Sequence, residues 1–174
     1  TDLAVEELGK FTELGGATVV DPTCFGIGRD PEALQRIARR TGLNIVMGSG
    51  YYLGQSHPED VRTMDADIIA ERIVRDVGGA PPPEDDDAPV IPAGLIGEIG
   101  VSKNFTAEEE KSLRGAARAS RRTGVPLTRE EVSRDAARAL FASLGEAFKV
   151  EILDSISPDE VISRCPSQRN GSPS

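Results

Sequence analysis

The sequence predicts an α/β fold built on parallel strands, and three observations carry that expectation. Segments with helical periodicity alternate with short apolar runs in the order α-β-α-β-α-β-α-β. Such alternation favours parallel strands joined by right-handed crossovers. Residues 39–43 (Arg-Arg-Thr-Gly-Leu) and 121–125 (Arg-Arg-Thr-Gly-Val) repeat one device: a basic last helical turn, a glycine stop and a strand entry. Basic residues there suit the negative end of the helix dipole. The run 17–21 (Ala-Thr-Val-Val-Asp) is short and apolar, as expected of a strand covered on both faces.

The elements follow in order. A first helix is expected over residues 2–14, with Leu3, Ala4, Leu8, Phe11 and Leu14 along one face and Gly15-Gly16 as its stop. The strand at 17–21 comes next. Asp30 and Pro31 then supply an N-cap and an N1 proline for a helix that buries Leu34, Ile37 and Ala38 and stops at Thr41-Gly42. Residues 43–48 form the second strand. A third helix is expected from about Asp65 to Val77, with Ile68, Ile69, Ile73 and Val77 facing inward. Residues 94–100 are a third strand. Thr106 and Glu109 form a capping box that opens a helix ending at Thr123-Gly124, and residues 125–128 begin a fourth strand.

Two stretches break the pattern. Residues 80–92 hold five prolines and the run Glu84-Asp85-Asp86-Asp87, which excludes regular helix or central strand. An exposed, solvated loop is expected, with an acidic metal-binding loop as the sharper alternative. Residues 129–148 fit an amphipathic helix using Val132, Ala136, Leu140 and Leu144. Residues 150–156 are a weak strand or helix, and residues 165–174 read as a frayed, disordered end.

Composition narrows the function classes. The 174 residues suit one domain and fall well short of the roughly 250 of a closed eight-stranded β/α barrel. The net charge of −9 argues against a nucleic-acid partner, which needs a basic face. No apolar run approaches the roughly 20 residues that span a bilayer, so no membrane role is expected. Two distant cysteines, Cys24 and Cys165, suit a reduced, cytoplasmic protein. The single histidine, His57, excludes a multi-histidine metal centre built by this chain alone.

Three features could carry chemistry. Residues 26–31 and 48–52 invite a phosphate-loop reading, but the first lacks the third glycine of a dinucleotide fingerprint and the second opens no helix directly. Both follow candidate strands, so they either shape a site or make tight turns, as Gly26 and Gly28 would before the Asp30 cap. Glu98 is the third feature. A carboxylate inside an apolar strand is costly unless it is paired, hydrogen-bonded or metal-bound. A salt bridge with Arg29, or a pleat position facing solvent, is the structural alternative.

Several segments together resemble the phosphotriesterase-related family. They are Glu7-Leu8, Phe11, residues 15–21, residues 26–30, residues 41–46, residues 48–52, His57-Pro58 and residues 93–100. The match continues through Thr106, Glu110-Lys111 and residues 116–119 to residues 123–128, in order and with suitable spacing. The resemblance implies a partial TIM-type (β/α) barrel over residues 1–128, with about four parallel strands and flanking helices, followed by a divergent tail over residues 129–174. It implies a hydrolase of lactones, phosphotriesters or other esters that uses two divalent metals, zinc being the expected ion. Glu98 matches the family's glutamate that bridges the metals. Tyr52 matches a tyrosine lining the substrate pocket. Tyr51 lies beside it as a second candidate, with His57, Arg29 and Asp30 as residues of uncertain role.

The chain departs from the family at both ends of the match. The family's first-strand His-x-His pair would precede Thr1, and Glu130 stands where a histidine is expected. The expected protein is therefore a fragment or divergent member, roughly the second to fifth β/α units, with an incomplete metal site and no catalytic residue assigned. The frame or splice origin of its ends would show in flanking DNA that restores the histidines. The alternatives are a non-catalytic interaction module, including a homo-oligomer formed through the open barrel edges, and a non-functional gene fragment.

Overall fold

A computed structural model describes residues 1–78, 91–103 and 105–129. Most of the proline-rich acidic stretch lies outside the described residues, as do the expected helix at 129–148 beyond its first residue and everything after it. The order is α1 (Asp2–Glu13), β1 (Thr18–Asp21), α2 (Pro31–Thr41), β2 (Asn44–Ser49), two 3-10 turns (Gly54–Ser56 and Glu59–Arg62), α3 (Ala66–Asp76), β3 (Leu95–Ile99), α4 (Ala107–Thr123) and β4 (Leu127–Arg129). The strands form one sheet in the order β1-β2-β3-β4, and each neighbouring pair is parallel. Asp21 stands opposite Met47, Ser49 opposite Ile96, and Ile99 opposite Arg129. The carboxyl ends of all four strands therefore share one edge, where β/α loops build functional sites.

The helix boundaries follow the local chemistry. Asp30 accepts a bond from Ala33 N at 2.9 Å, Pro31 opens α2, and Gly42 closes it at φ 75°. Asp65 caps α3 by accepting from Asp67 N and Ile68 N at 2.9 and 2.8 Å. The capping box of Thr106 and Glu109 is complete, and Gly124 closes α4 at φ 73°. β4 spans Leu127–Arg129 and so starts two residues later than the sequence suggests: Val125 N is still held by Thr123 Oγ1 at the helix end, and Pro126, whose carbonyl already accepts from Ile96 N at 2.9 Å, has no N–H to give.

The core lies between β2, β3, α3 and α4. α3 packs against α4, and α4 against β3; Ile69, Ile73 and Val74 of α3, Leu113, Ala116 and Ala119 of α4, and Ile96 and Ile99 of β3 are all buried. Each fully buried large aliphatic side chain is worth roughly 1.5–3 kcal/mol relative to exposure. Gly115 lets α3 and α4 approach: a Cβ there would run into Ile69 and lie 3.0 Å from the Ala66 carbonyl.

Four burial expectations are corrected. α1 buries no residue, and Leu3 and Leu14 are 71% and 87% exposed. β1 is not covered on both faces; it is an edge strand, and Val20 is 47% exposed. Ile68 faces outward on the first turn of α3, where Ala70 and Val74 take the inner face instead. In α2, Ile37 alone of the expected three is fully buried, with Leu34 and Ala38 half-buried.

Candidate active site

Glu98 is the fourth residue of β3 and is half-buried. Its backbone is held at both ends by the turn that follows β1. Glu98 N donates to the Pro22 carbonyl at 3.0 Å, and the Cys24 thiol donates to the Glu98 carbonyl at 3.1 Å. Cys24 is fully buried, and burial pushes its thiol up to about 12 although Arg29 opposes the shift. It is therefore a neutral donor and not a thiolate nucleophile. Gly97, before Glu98, has φ 132°, and a Cβ there would collide with Thr128, so only glycine fits between β3 and β4.

Arg29 is bound by Asp76, the last residue of α3, and not singled out by sequence. Its Nη2 donates to both Asp76 oxygens at 3.0 and 2.9 Å, and its Nε donates to the Gly48 carbonyl at 2.8 Å. The two side chains are only 7% and 16% exposed. Burial holds the Asp76 carboxyl above its ordinary range, against the opposing pull of Arg29. An acid in the last turn of a helix opposes the helix dipole unless it is paired. That mismatch was the available signal for Asp76.

Arg29, Tyr51 and His57 are brought together around Phe25. The Arg29 and Arg72 guanidinium carbons sit 4.8 and 5.1 Å from the centre of the Phe25 ring. Phe25 and Tyr51 are 5.5 Å apart, and Tyr51 and His57 5.7 Å. Tyr51 is fully buried, which raises its phenol pKa while Arg72 pulls the other way. Tyr52, next to it, is half-buried in the loop three residues after β2. The His57 Nε2–H donates to the Tyr52 carbonyl at 2.8 Å, which fixes the proton on Nε2. Asp30 stands apart from this group as the exposed α2 cap.

Glu109 carries more than its cap. It is 2% exposed, its Oε1 accepts from Gly54 N at 3.1 Å, and its Oε2 accepts from Ser102 Oγ at 2.8 Å and Thr106 N at 2.9 Å. Burial pushes its pKa up, but the bonds from Thr106, Gly54 and Ser102 outweigh this and hold it below the usual range. The capping box was legible in the sequence; the reach to Gly54 was not.

A parallel sheet with flanking helices and its loops gathered at the carboxyl ends of the strands is the architecture of the β/α-barrel class. Residues 2–144 match the phosphotriesterase family, and the chain belongs to it. An N-acetyltaurine hydrolase from Dictyostelium discoideum is 39% identical over 129 residues, which are 73% of this chain and 33% of that protein. A resiniferatoxin-binding protein from Rhodobacter sphaeroides superposes with a TM-score of 0.72 at 51% identity, over 83% of this chain and 40% of the other. The phosphotriesterase homology protein from Escherichia coli, solved with phosphate in its active site, gives 0.70 at 28% identity, over 82% and 49%. The chain thus spans about a third of the length of the curated relatives it matches. Its four strands and flanking helices are part of a TIM-type barrel.

Among the described residues no helix is long and apolar enough to cross a membrane, and no three His, Cys, Asp or Glu side chains group closely enough to hold a metal.

Proposed function

We propose that this chain builds one side of the active site of a metal-dependent hydrolase acting on ester, lactone or phosphotriester bonds. Glu98 is the bridging metal carboxylate in this reading, and Tyr52 lines the substrate pocket. The observation that carries it is the placement of Glu98: a half-buried carboxylate at the functional end of β3, its peptide strapped by Pro22 and Cys24. Metal ligands held by such supporting bonds lose less freedom on binding. Tyr52 is the better substrate residue of the tyrosine pair, because Tyr51 offers no surface. Relatives named as N-acetyltaurine hydrolases support hydrolysis as the reaction class.

The described residues do not complete a metal centre, since catalytic zinc takes three protein ligands. Glu98 is the one donor this reading assigns, and the rest of the barrel would supply the others. Zinc affinity by equilibrium dialysis, with hydrolysis of an ester, lactone and phosphotriester panel, tests the reading in a chimaera that grafts this chain onto the remaining barrel units of a relative. Glu98→Gln is expected to weaken zinc binding by about tenfold or more and to remove any hydrolysis. Equal zinc affinity in wild type and variant would overturn it.

One observation favours a second reading, an interaction module. The β1 edge exposes Val20 and the preceding Leu14, a combination that invites strand pairing with another chain. A chain that stays monomeric in light scattering at high micromolar concentration removes this reading.

A further inference from the structure

We propose that Glu109 is a positioning residue for Tyr52: by bonding Gly54 N–H, Ser102 Oγ and Thr106 N–H at once, it locks the loop after β2 to the loop after β3. The inference rests on the reading that Tyr52 lines the substrate pocket.

A capping-box glutamate has one task, to accept from the N-cap N–H. Glu109 does this through Oε2 and Thr106 N. It then spends its remaining acceptor capacity away from the helix. Ser102 lies in the loop that leaves β3 four residues after Glu98, and Gly54 lies 55 residues away in the loop that carries Tyr52. A carboxylate 2% exposed is costly to bury, so three bonds from two loops and a helix end hold those three segments in one arrangement. The helix cap alone does not require this burial.

The Tyr52 backbone is held on several sides. His57 donates to its carbonyl at 2.8 Å, and Gly100 N donates to the Tyr51 carbonyl at 3.3 Å. Gly100 also lies so close that a Cβ would stand 2.6 Å from the Tyr52 carbonyl carbon. Glu109 closes the far side at Gly54, two residues on. Without that anchor the segment from Tyr52 to Gly54 keeps only the bonds on the β3 side and at His57, and Tyr52 can open to solvent with it.

The chemistry of substitution is specific. Glu109→Gln keeps the size of the side chain but has one acceptor oxygen and an NH2 in place of the second. Whichever way the amide turns, its NH2 meets an N–H or O–H donor. The clamp therefore fails on one side while the helix residue is otherwise conserved.

The chain has two tyrosines and no tryptophan, so in a Tyr51→Phe background Tyr52 is the sole strong intrinsic fluorophore. Among the described residues the buried Tyr51 hydroxyl makes no hydrogen bond of good geometry, with Arg72 as its polar neighbour, so that background is a mild change. Acrylamide quenching of Tyr52 is then measured in the 174-residue chain. Adding Glu109→Gln is expected to raise the quenching constant about threefold through local opening of the loop. Leu113→Ala, buried on the same helix, should lower the unfolding midpoint yet leave quenching unchanged. Unchanged quenching in Glu109→Gln, or an equal rise in Leu113→Ala, overturns the proposal.

If Glu109→Gln does not fold, amide exchange in the wild type decides. The Gly54 amide should exchange about tenfold or more slowly than that of exposed Gln55, and equal rates overturn the clamp. Neither readout involves hydrolysis or metal. Failure of the Glu98 test with Tyr52 responding as expected would sink the functional reading and leave the clamp standing.

Discussion

Two helices of this molecule carry a glycine in their middle, and the two glycines mean opposite things. In α1, no described residue lies within 4 Å of where the Cβ of Gly9 would be, and among the described residues the helix buries none of its own. In α4, the missing Cβ of Gly115 is the space that Ile69 of α3 fills. The flanking residues Leu113, Ala116, Ala117 and Ala119 are buried with it. The same residue is an entropic defect in one place and a packing requirement in the other. Burial belongs to the neighbour as much as to the stripe that seeks it.

The largest effect should come from the buried end of that contrast, where charge is involved. Arg29→Met leaves Asp76 buried without its partner, and breaking such a pair costs about 3–5 kcal/mol. Urea unfolding monitored by circular dichroism reads this directly. The Arg40–Asp2 pair, at the α1 end, is 51% and 90% exposed. Arg40→Ala should therefore barely move stability, because an exposed pair is screened by solvent. Similar losses for the two variants would show that the distinction between the two regions is wrong.

Next comes Gly115→Ala. Alanine is the better helix former by about 1 kcal/mol, yet its Cβ would collide with Ile69 and stand 3.0 Å from the Ala66 carbonyl. Overpacking of this kind costs about 1–3 kcal/mol. A net loss of stability is expected, and adding Ile69→Val should recover part of it by making room. A net gain would mean that α3 and α4 can separate at little cost.

The sequence made part of this legible. The caps at Asp30, Thr106 and Gly124 are local devices, complete within four residues, and the structure keeps each of them. The parallel order of strands follows from connection rules and is equally local in origin. Long-range partners were not legible. Arg29 finds Asp76 47 residues on, and Glu109 finds Gly54 55 residues back. Tyr51 and Tyr52 are adjacent, so alternation puts them on opposite sides, but nothing local says which side is the core. The apolar faces of α1 and α3 both follow helical periodicity, and only the fold shows that one is covered and the other is not.

Asp30 separates a cap from a site. Its carboxylate bonds the Ala33 amide, and its side chain is 58% exposed. Asp30→Ala should cost about 1 kcal/mol through the lost N-cap, whereas Asp30→Ser should retain most of the stability. Loss of zinc binding or hydrolysis in the serine variant, with stability kept, would return Asp30 to the candidate site.

The smallest expected effect is a gain, and it tests the exposed half of the comparison. Gly9→Ala places a methyl group into open space in the interior of a 12-residue helix. It removes backbone freedom from the unfolded chain and should stabilise α1 by about 0.5–1 kcal/mol. Because α1 is held by so little burial, it can open without the rest of the fold. The gain should then appear as slower amide exchange within α1, with little change in the global unfolding midpoint. A rise in the global midpoint instead would mean that α1 unfolds with the core, and that its exposed leucines contribute more than their exposure suggests. Destabilisation would mean that another surface packs against Gly9. In that case the difference between the two glycines, and the lesson drawn from it, would not hold.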